Sequence, residues 1–106
     1  MQMERDRLRE PEARILALRI AAAQPNREAE TEFIKVRVPD YIELTELDLK
    51  PSDTRGGEPV WRQIVGNVVS HQNQSTSIFA KGYAVRLPDG IRVTDAGVAY
   101  LAELGF

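Results

Sequence analysis

The apolar positions along this chain recur with two periods, and the switch between them divides it into helices and a hairpin. Helical spacing comes first. Pro11 suits a first helical turn, where its missing N–H costs nothing. From Glu12 to Gln24, Leu16, Ile20 and Ala23 share one face with Ile15 beside them, and Ala21-Ala22-Ala23 favours helix. Gln24-Pro25-Asn26 ends it, with Asn26 suited to cap the next element. The strongest helical signal is Pro59 to Gln72. At about 100° per residue, Trp61, Ile64, Val65 and Val68 form a buried stripe. Trp61 heads that stripe and reads as a core anchor. A last helix is expected after Thr94, an N-cap with Asp95 in the first turn, and Val98, Leu101 and Ala102 make its inner stripe. Leu104 and Phe106 are expected to close the core or meet a neighbour.

Strand spacing is clearest in Tyr83-Ala84-Val85-Arg86-Leu87 and Ile91-Arg92-Val93, on either side of Pro88-Asp89-Gly90. The expectation is a hairpin with a three-residue loop. Tyr83, Val85, Leu87, Ile91 and Val93 then share the buried face, and Arg86 opposes Arg92 on the outer one. Residues 29–38 stay open. Phe33 to Val38 alternates like a strand, whereas Arg27 to Glu32, with its acids, favours the first turn of a helix. Tyr41 to Leu49 reads as a short helix or turn that packs Ile42, Leu44, Leu47 and Leu49 on the core. Lys50 to Glu58 and Asn73 to Ser77 read as loops, and Ile78-Phe79-Ala80 returns to the core.

Composition narrows the classes. The chain has 106 residues and 42% hydrophobic content, enough for one domain with a real core. Residues 1–10 read as a charged arm and 11–106 as the domain. No apolar run reaches membrane-spanning length, and no signal peptide is visible, so a cytoplasmic location is expected by default. With no cysteine and one histidine, thiolate chemistry and a histidine-based zinc site are excluded. Net charge is −2, which does not announce a polyanion partner. Its distribution is uneven: residues 1–49 hold 8 basic and 11 acidic side chains, net −3, while residues 50–92 hold 6 basic and 3 acidic, net +3. The basic segment contains the central helix and the hairpin, a hint at an anionic partner that is also compatible with ordinary variation.

The polar face of the central helix changes the picture further. It carries Arg62, Gln63, Gly66, Asn67 and Ser70, with neither Glu nor Lys. Amides, hydroxyls and guanidinium groups reach base edges, and carboxylates would be repelled by phosphate. An ordinary polar surface is the competing reading. Ser70-His71 is not a catalytic pair, because helix neighbours point about 100° apart. His71 suits the helix C-terminus, where positive charge is favourable. No third catalytic group, metal spacing or phosphate-cradling glycine loop is present, so no enzyme, cofactor or small-molecule substrate is expected.

At the residue level, Val38-Pro39-Asp40-Tyr41, Thr54-Arg55-Gly56-Gly57-Glu58-Pro59-Val60-Trp61, Ile64 to His71, Gly82-Tyr83 and Val93-Thr94-Asp95-Ala96-Gly97-Val98-Ala99-Tyr100-Leu101 carry a resemblance. They resemble the winged helix-turn-helix domain at the N-terminus of Mrr-type restriction endonucleases and in small standalone relatives. The likeness spans about residues 11–104. It implies an α+β, mainly α, winged helix-turn-helix: three helices, a β-hairpin wing and a C-terminal helix. The segment at 29–38 would then be a helix, and 59–72 the recognition helix in the major groove. Arg62, Gln63, Asn67 and Ser70 become candidates for base edges or phosphates, Gly66 permits close approach, Arg86 and Arg92 sit on the wing, and Lys81 and Arg55 anchor the backbone. The nuclease activity of that family has no counterpart in these residues. The expected function is a double-stranded-DNA-binding module, a small regulator or restriction-system accessory, with homodimerisation natural for paired half-sites. The alternative is a winged helix that docks or dimerises without DNA.

Overall fold

A computed structural model of the chain describes residues 7–52, 57–70 and 74–106. Helix α1 (Glu10–Ala22) opens with Pro11 in its first turn and Glu10 and Glu12 near its N-terminus, and it closes two residues earlier than its periodicity suggests. It is the most deeply buried helix: Ala13, Leu16, Ala17, Leu18, Ile20 and Ala21 are all buried, more than one stripe allows. A 3-10 turn at Pro25–Arg27 comes next, in which Asn26 and Arg27 adopt φ of 60° and 58°. Left-handed backbone is tolerated by Asn but costs Arg about 1–2 kcal/mol, and the Arg27 guanidinium is held 2.7 Å from Asp95.

The open segment resolves into both elements, in the reverse of the order its two halves suggest. Strand β1 (Glu28–Glu30) comes first and helix α2 (Thr31–Arg37) second. The reason lies in the partner strand. β1 pairs antiparallel with β3 (Gly90–Val93) in the register Glu28↔Arg92, Ala29↔Ile91, Glu30↔Gly90, and β3 has no residue left beyond Gly90. There the Thr31 N–H and hydroxyl both donate to the Asp89 carbonyl, and the chain turns into a helix. In α2 and the residue that follows it the apolar alternation is read with a helical period: Ile34 and Val38 are buried, while Phe33 and Val36 are exposed.

After a 3-10 turn at Val38–Asp40, helix α3 (Glu46–Leu49) is one turn long, set by a capping box in which Thr45 and Asp48 exchange hydrogen bonds. Ile42 and Leu44 pack on the core as expected, but Leu47 and Leu49 are exposed. Helix α4 (Val60–Ser70) lies against α1, α2 and α3.

Strand β2 (Ala84–Leu87) completes a three-stranded antiparallel sheet of order β1-β3-β2. The register corrects the expected hairpin. Leu87 pairs with Gly90 across a two-residue turn, Arg86 with Ile91, and Val85 with Arg92. A one-residue slip exchanges the faces of one strand relative to the other. Ala84 and Arg86 therefore share the side of buried Ile91 and Val93, while Val85 lies exposed beside Arg92. Arg86 and Arg92 are not opposed.

Helix α5 (Asp95–Glu103) starts at Thr94, whose hydroxyl accepts the Gly97 N–H at 3.1 Å. Its inner stripe is Gly97 and Leu101 rather than Val98, Leu101 and Ala102. Gly97 is needed because a Cβ there would stand 2.2 Å from the Tyr83 carbonyl oxygen. The exposed Phe106 ring lies against Arg19, whose guanidinium carbon is 3.9 Å from the ring centroid. The result is an α+β fold, mainly helical, with a small antiparallel sheet. No described helix is long and apolar enough to cross a membrane.

Candidate functional site

Helix α4 is anchored by Trp61, Val65, Val68 and Val69, all buried. Ile64 is half-buried at the edge of that face. On the opposite side of the helix Gln63, Asn67 and Ser70 recur at i, i+4 and i+7 and form the outward row, in which Ser70 is exposed and Gln63 and Asn67 are half-buried. No Asp or Glu lies within α4. The Ser70 hydroxyl donates to the Gly66 carbonyl at 2.7 Å, back-bonding along the helix, and retains its oxygen as an acceptor.

Two residues expected on this row lie elsewhere. Gly66 is buried against α2, where its Cβ would meet Cε and Nζ of Lys35, each at 3.3 Å. Its small size serves helix–helix contact within the protein. Arg62 points to the same junction, with Nη2 3.0 Å from Glu32 and Nε 3.6 Å from Glu58. Lys35 closes the ring, 3.1 Å from Glu58 and 3.5 Å from Glu32. Two cations and two carboxylates thus alternate between α2 and the start of α4. Glu58 is placed there by the closed ends of the preceding loop, where Ser52 N–H donates to the Glu58 carbonyl and Val60 N–H to that of Lys50.

The hairpin arginines are also engaged. Arg86 Nη1 donates to the carbonyls of Leu87 and Gly90 at 3.2 and 2.9 Å, which clamps the turn from the inner side. Arg92 Nε is 3.0 Å from Glu28, its directly opposed partner on β1. That pair is about half exposed on both sides, so it contributes under about 1 kcal/mol and is readily exchanged. The hairpin tip is tied to α2 through Thr31 and Asp89. Lys81 is exposed, beside a groove of about 330 Å³ shared with Pro11, Arg14 and Thr76. Arg55 and His71 lie outside the described residues.

The structure also brings residues to α4 that sequence patterning passes over. Asn67 and Ile64 line a groove of about 360 Å³ with Arg7, Arg9, Glu10 and Pro11. Residues 7–9 are docked rather than trailing. Leu8 is fully buried, and its N–H donates to Oδ1 of Asp48, itself fully buried. Oδ2 of the same carboxylate accepts from the N–H and hydroxyl of Thr45. The available signal was one leucine flanked by arginines within a charged stretch.

Among the described residues no cluster of His, Asp and Glu is arranged to hold a metal ion. Comparison of the chain with protein-family models, curated proteins and solved structures returned no match.

Proposed function

We propose that the chain is a winged-helix module that binds double-stranded DNA, with α4 as the recognition helix and the β2–β3 hairpin as a short wing. One observation carries the reading: the outward row of α4 is Gln63, Asn67 and Ser70, a hydrogen-bonding surface with no carboxylate, on a helix fixed from behind by four buried side chains. Side-chain amides bond adenine through N6 and N7, and the Ser70 oxygen remains an acceptor. The order of elements supports it: helix, strand, helix, short helix, helix, hairpin and helix, with β1 pairing the far strand of the hairpin. A helix that presents a polar row without carboxylates suits a major groove. The part of the wing is modest, since Arg86 is spent on its own turn and Arg92 must exchange Glu28 for phosphate.

The second reading, a protein-docking or dimerising winged helix, is favoured by the carboxylate partners of Arg62 and Arg92 and by the exposed Phe33, Val36, Leu47 and Leu49 on α2 and α3. Amide chemical shifts of the labelled protein, recorded as duplex DNA is added, separate the two. DNA binding requires the largest changes at Gln63, Asn67 and Ser70. Changes confined to α2 and α3, or none, overturn the proposal.

A further inference from the structure

We infer that the groove between the end of α1 and α5 binds a small organic carboxylate with an apolar or aromatic body, held by Arg19. The site is built from the C-terminus of α5. Gly105 takes φ 95°, a left-handed conformation; its N–H donates to the Ala102 carbonyl, and that of Phe106 donates to the Leu101 carbonyl. These two bonds make a Schellman motif, in which a helix ends on a left-handed glycine. They turn the chain back and set the Phe106 ring against Arg19 of α1, with the guanidinium carbon 3.9 Å from the ring centroid. The Tyr41 ring lies 4.9 Å from the same carbon. Arg19 is half-buried, and among the described residues its guanidinium meets neither a carboxylate nor a hydrogen-bond acceptor, only the two rings. A guanidinium stacked on aromatic faces keeps its N–H donors, which lie in its plane.

The surroundings select the class of ligand. Arg19, Tyr41 and Phe106 line a groove of about 650 Å³, a volume typical of small-molecule sites. Ala22, Val98, Leu101 and Ala102 give it an apolar wall, and among the described residues no Asp or Glu side chain lines it. Phe106 and Val98 are both exposed, so the body of a ligand would cover hydrocarbon that now faces water. Arg27 lines the groove too, but its guanidinium is 2.7 Å from Asp95 and its charge is offset there. One cation is left without a counter-charge, which suits a single negative charge better than the near-double charge of a phosphate. A carboxylate accepts the guanidinium fork bidentately. No residue of α4 lines this groove, so the inference stands apart from duplex binding.

The test titrates the labelled protein with naphthoate, with the neutral naphthalenemethanol and with inorganic phosphate at one ionic strength, and follows amide chemical shifts. Naphthoate is expected to saturate shifts at Arg19, Val98, Leu101 and Phe106. It is expected to bind at least about tenfold more tightly than the alcohol, which brings the same rings without the charge. Arg19→Gln is expected to reduce naphthoate to the affinity of the alcohol and to leave the alcohol unchanged. Arg19→Lys, which keeps the charge without the fork, is expected to fall between. Equal affinity of the parent for acid and alcohol overturns the role of Arg19, whether or not its variants fold. Phosphate that saturates the same shifts as tightly as naphthoate overturns the apolar carboxylate as the ligand class. Naphthoate that moves none of these four signals overturns the site outright.

Discussion

Lys35 occupies the space that a side chain at position 66 would take: a Cβ on Gly66 would lie 3.3 Å from both its Cε and its Nζ. The ammonium is in turn 3.1 Å from Glu58. Close approach of α2 and α4 and the partly buried ion pair are therefore one feature. Gly66→Ala gains about 1 kcal/mol of helix propensity and loses a similar amount by displacing Lys35, so its net effect is expected to be under about 1 kcal/mol. Gly66→Leu has no such escape and is expected to cost about 2 kcal/mol or more. Urea denaturation distinguishes them. A leucine variant as stable as the parent means that the two helices do not meet at this glycine.

Removing the Glu58 carboxylate leaves Lys35, 7% exposed, with the largely exposed Glu32 at 3.5 Å. Glu58→Gln is expected to lower stability by about 1–3 kcal/mol. Lys35→Met, which keeps the packed stem and removes the charge, is expected to cost less. The reverse ranking in the same denaturation experiment contradicts the burial of the ammonium.

Gly97 faces the Tyr83 backbone together with the Val93 side chain, and Gly90 faces backbone. A Cβ would lie 2.2 Å from the Tyr83 oxygen at the first and 2.0 Å from the Ala29 oxygen at the second. Either alanine variant must push an element away, α5 from the hairpin or β1 from β3. A loss of about 2–3 kcal/mol is expected, read as a clear fall in Tm. An unchanged melt at Gly97→Ala means α5 does not rest on the Tyr83 carbonyl.

Leu8→Ala tests whether residues 7–9 belong to the folded unit. Loss of a fully buried leucine is expected to cost about 2–5 kcal/mol. A true arm would lose nothing, and a change within about 0.5 kcal/mol would show that the anchor is absent.

Glu28→Gln separates the paired from the available state of Arg92. The exposed cross-strand pair contributes under about 1 kcal/mol, so folding is expected to change little. If Arg92 reaches phosphate, losing its competitor strengthens duplex binding several-fold at low salt. No change in affinity places Arg92 outside the interface.

Legibility in the sequence depends on the length over which a pattern repeats. The 11 residues of α4 present several turns of the stripe, and Trp61 and Val65 lie where it puts them. Thr94 is a cap whose partner sits three residues on, so local sequence suffices. The segment 28–37 was not legible, because the end of β3 rather than local preference decides where strand becomes helix. The hairpin register turned on one residue in the loop, Gly90, which joins the strand and moves Arg86 inward. At the candidate site, Gln63, Asn67 and Ser70 are placed by helical spacing alone. The inward turn of Gly66 and Arg62 depends on α2, and the approach of Arg7 and Arg9 depends on a hydrogen bond between residues 40 apart.

The central claim is that the outward row of α4 holds duplex DNA. The direct measurement is the affinity of the parent and of Gln63→Glu/Asn67→Asp for random-sequence duplex at about 50 and about 200 mM salt. Affinity of the parent is expected to fall steeply between the two, as phosphate contacts require, and the doubly acidic variant is expected to bind far more weakly at the lower salt while melting normally. A folded parent that binds no duplex at the lower salt, or an acidic variant that binds as the parent does, contradicts it.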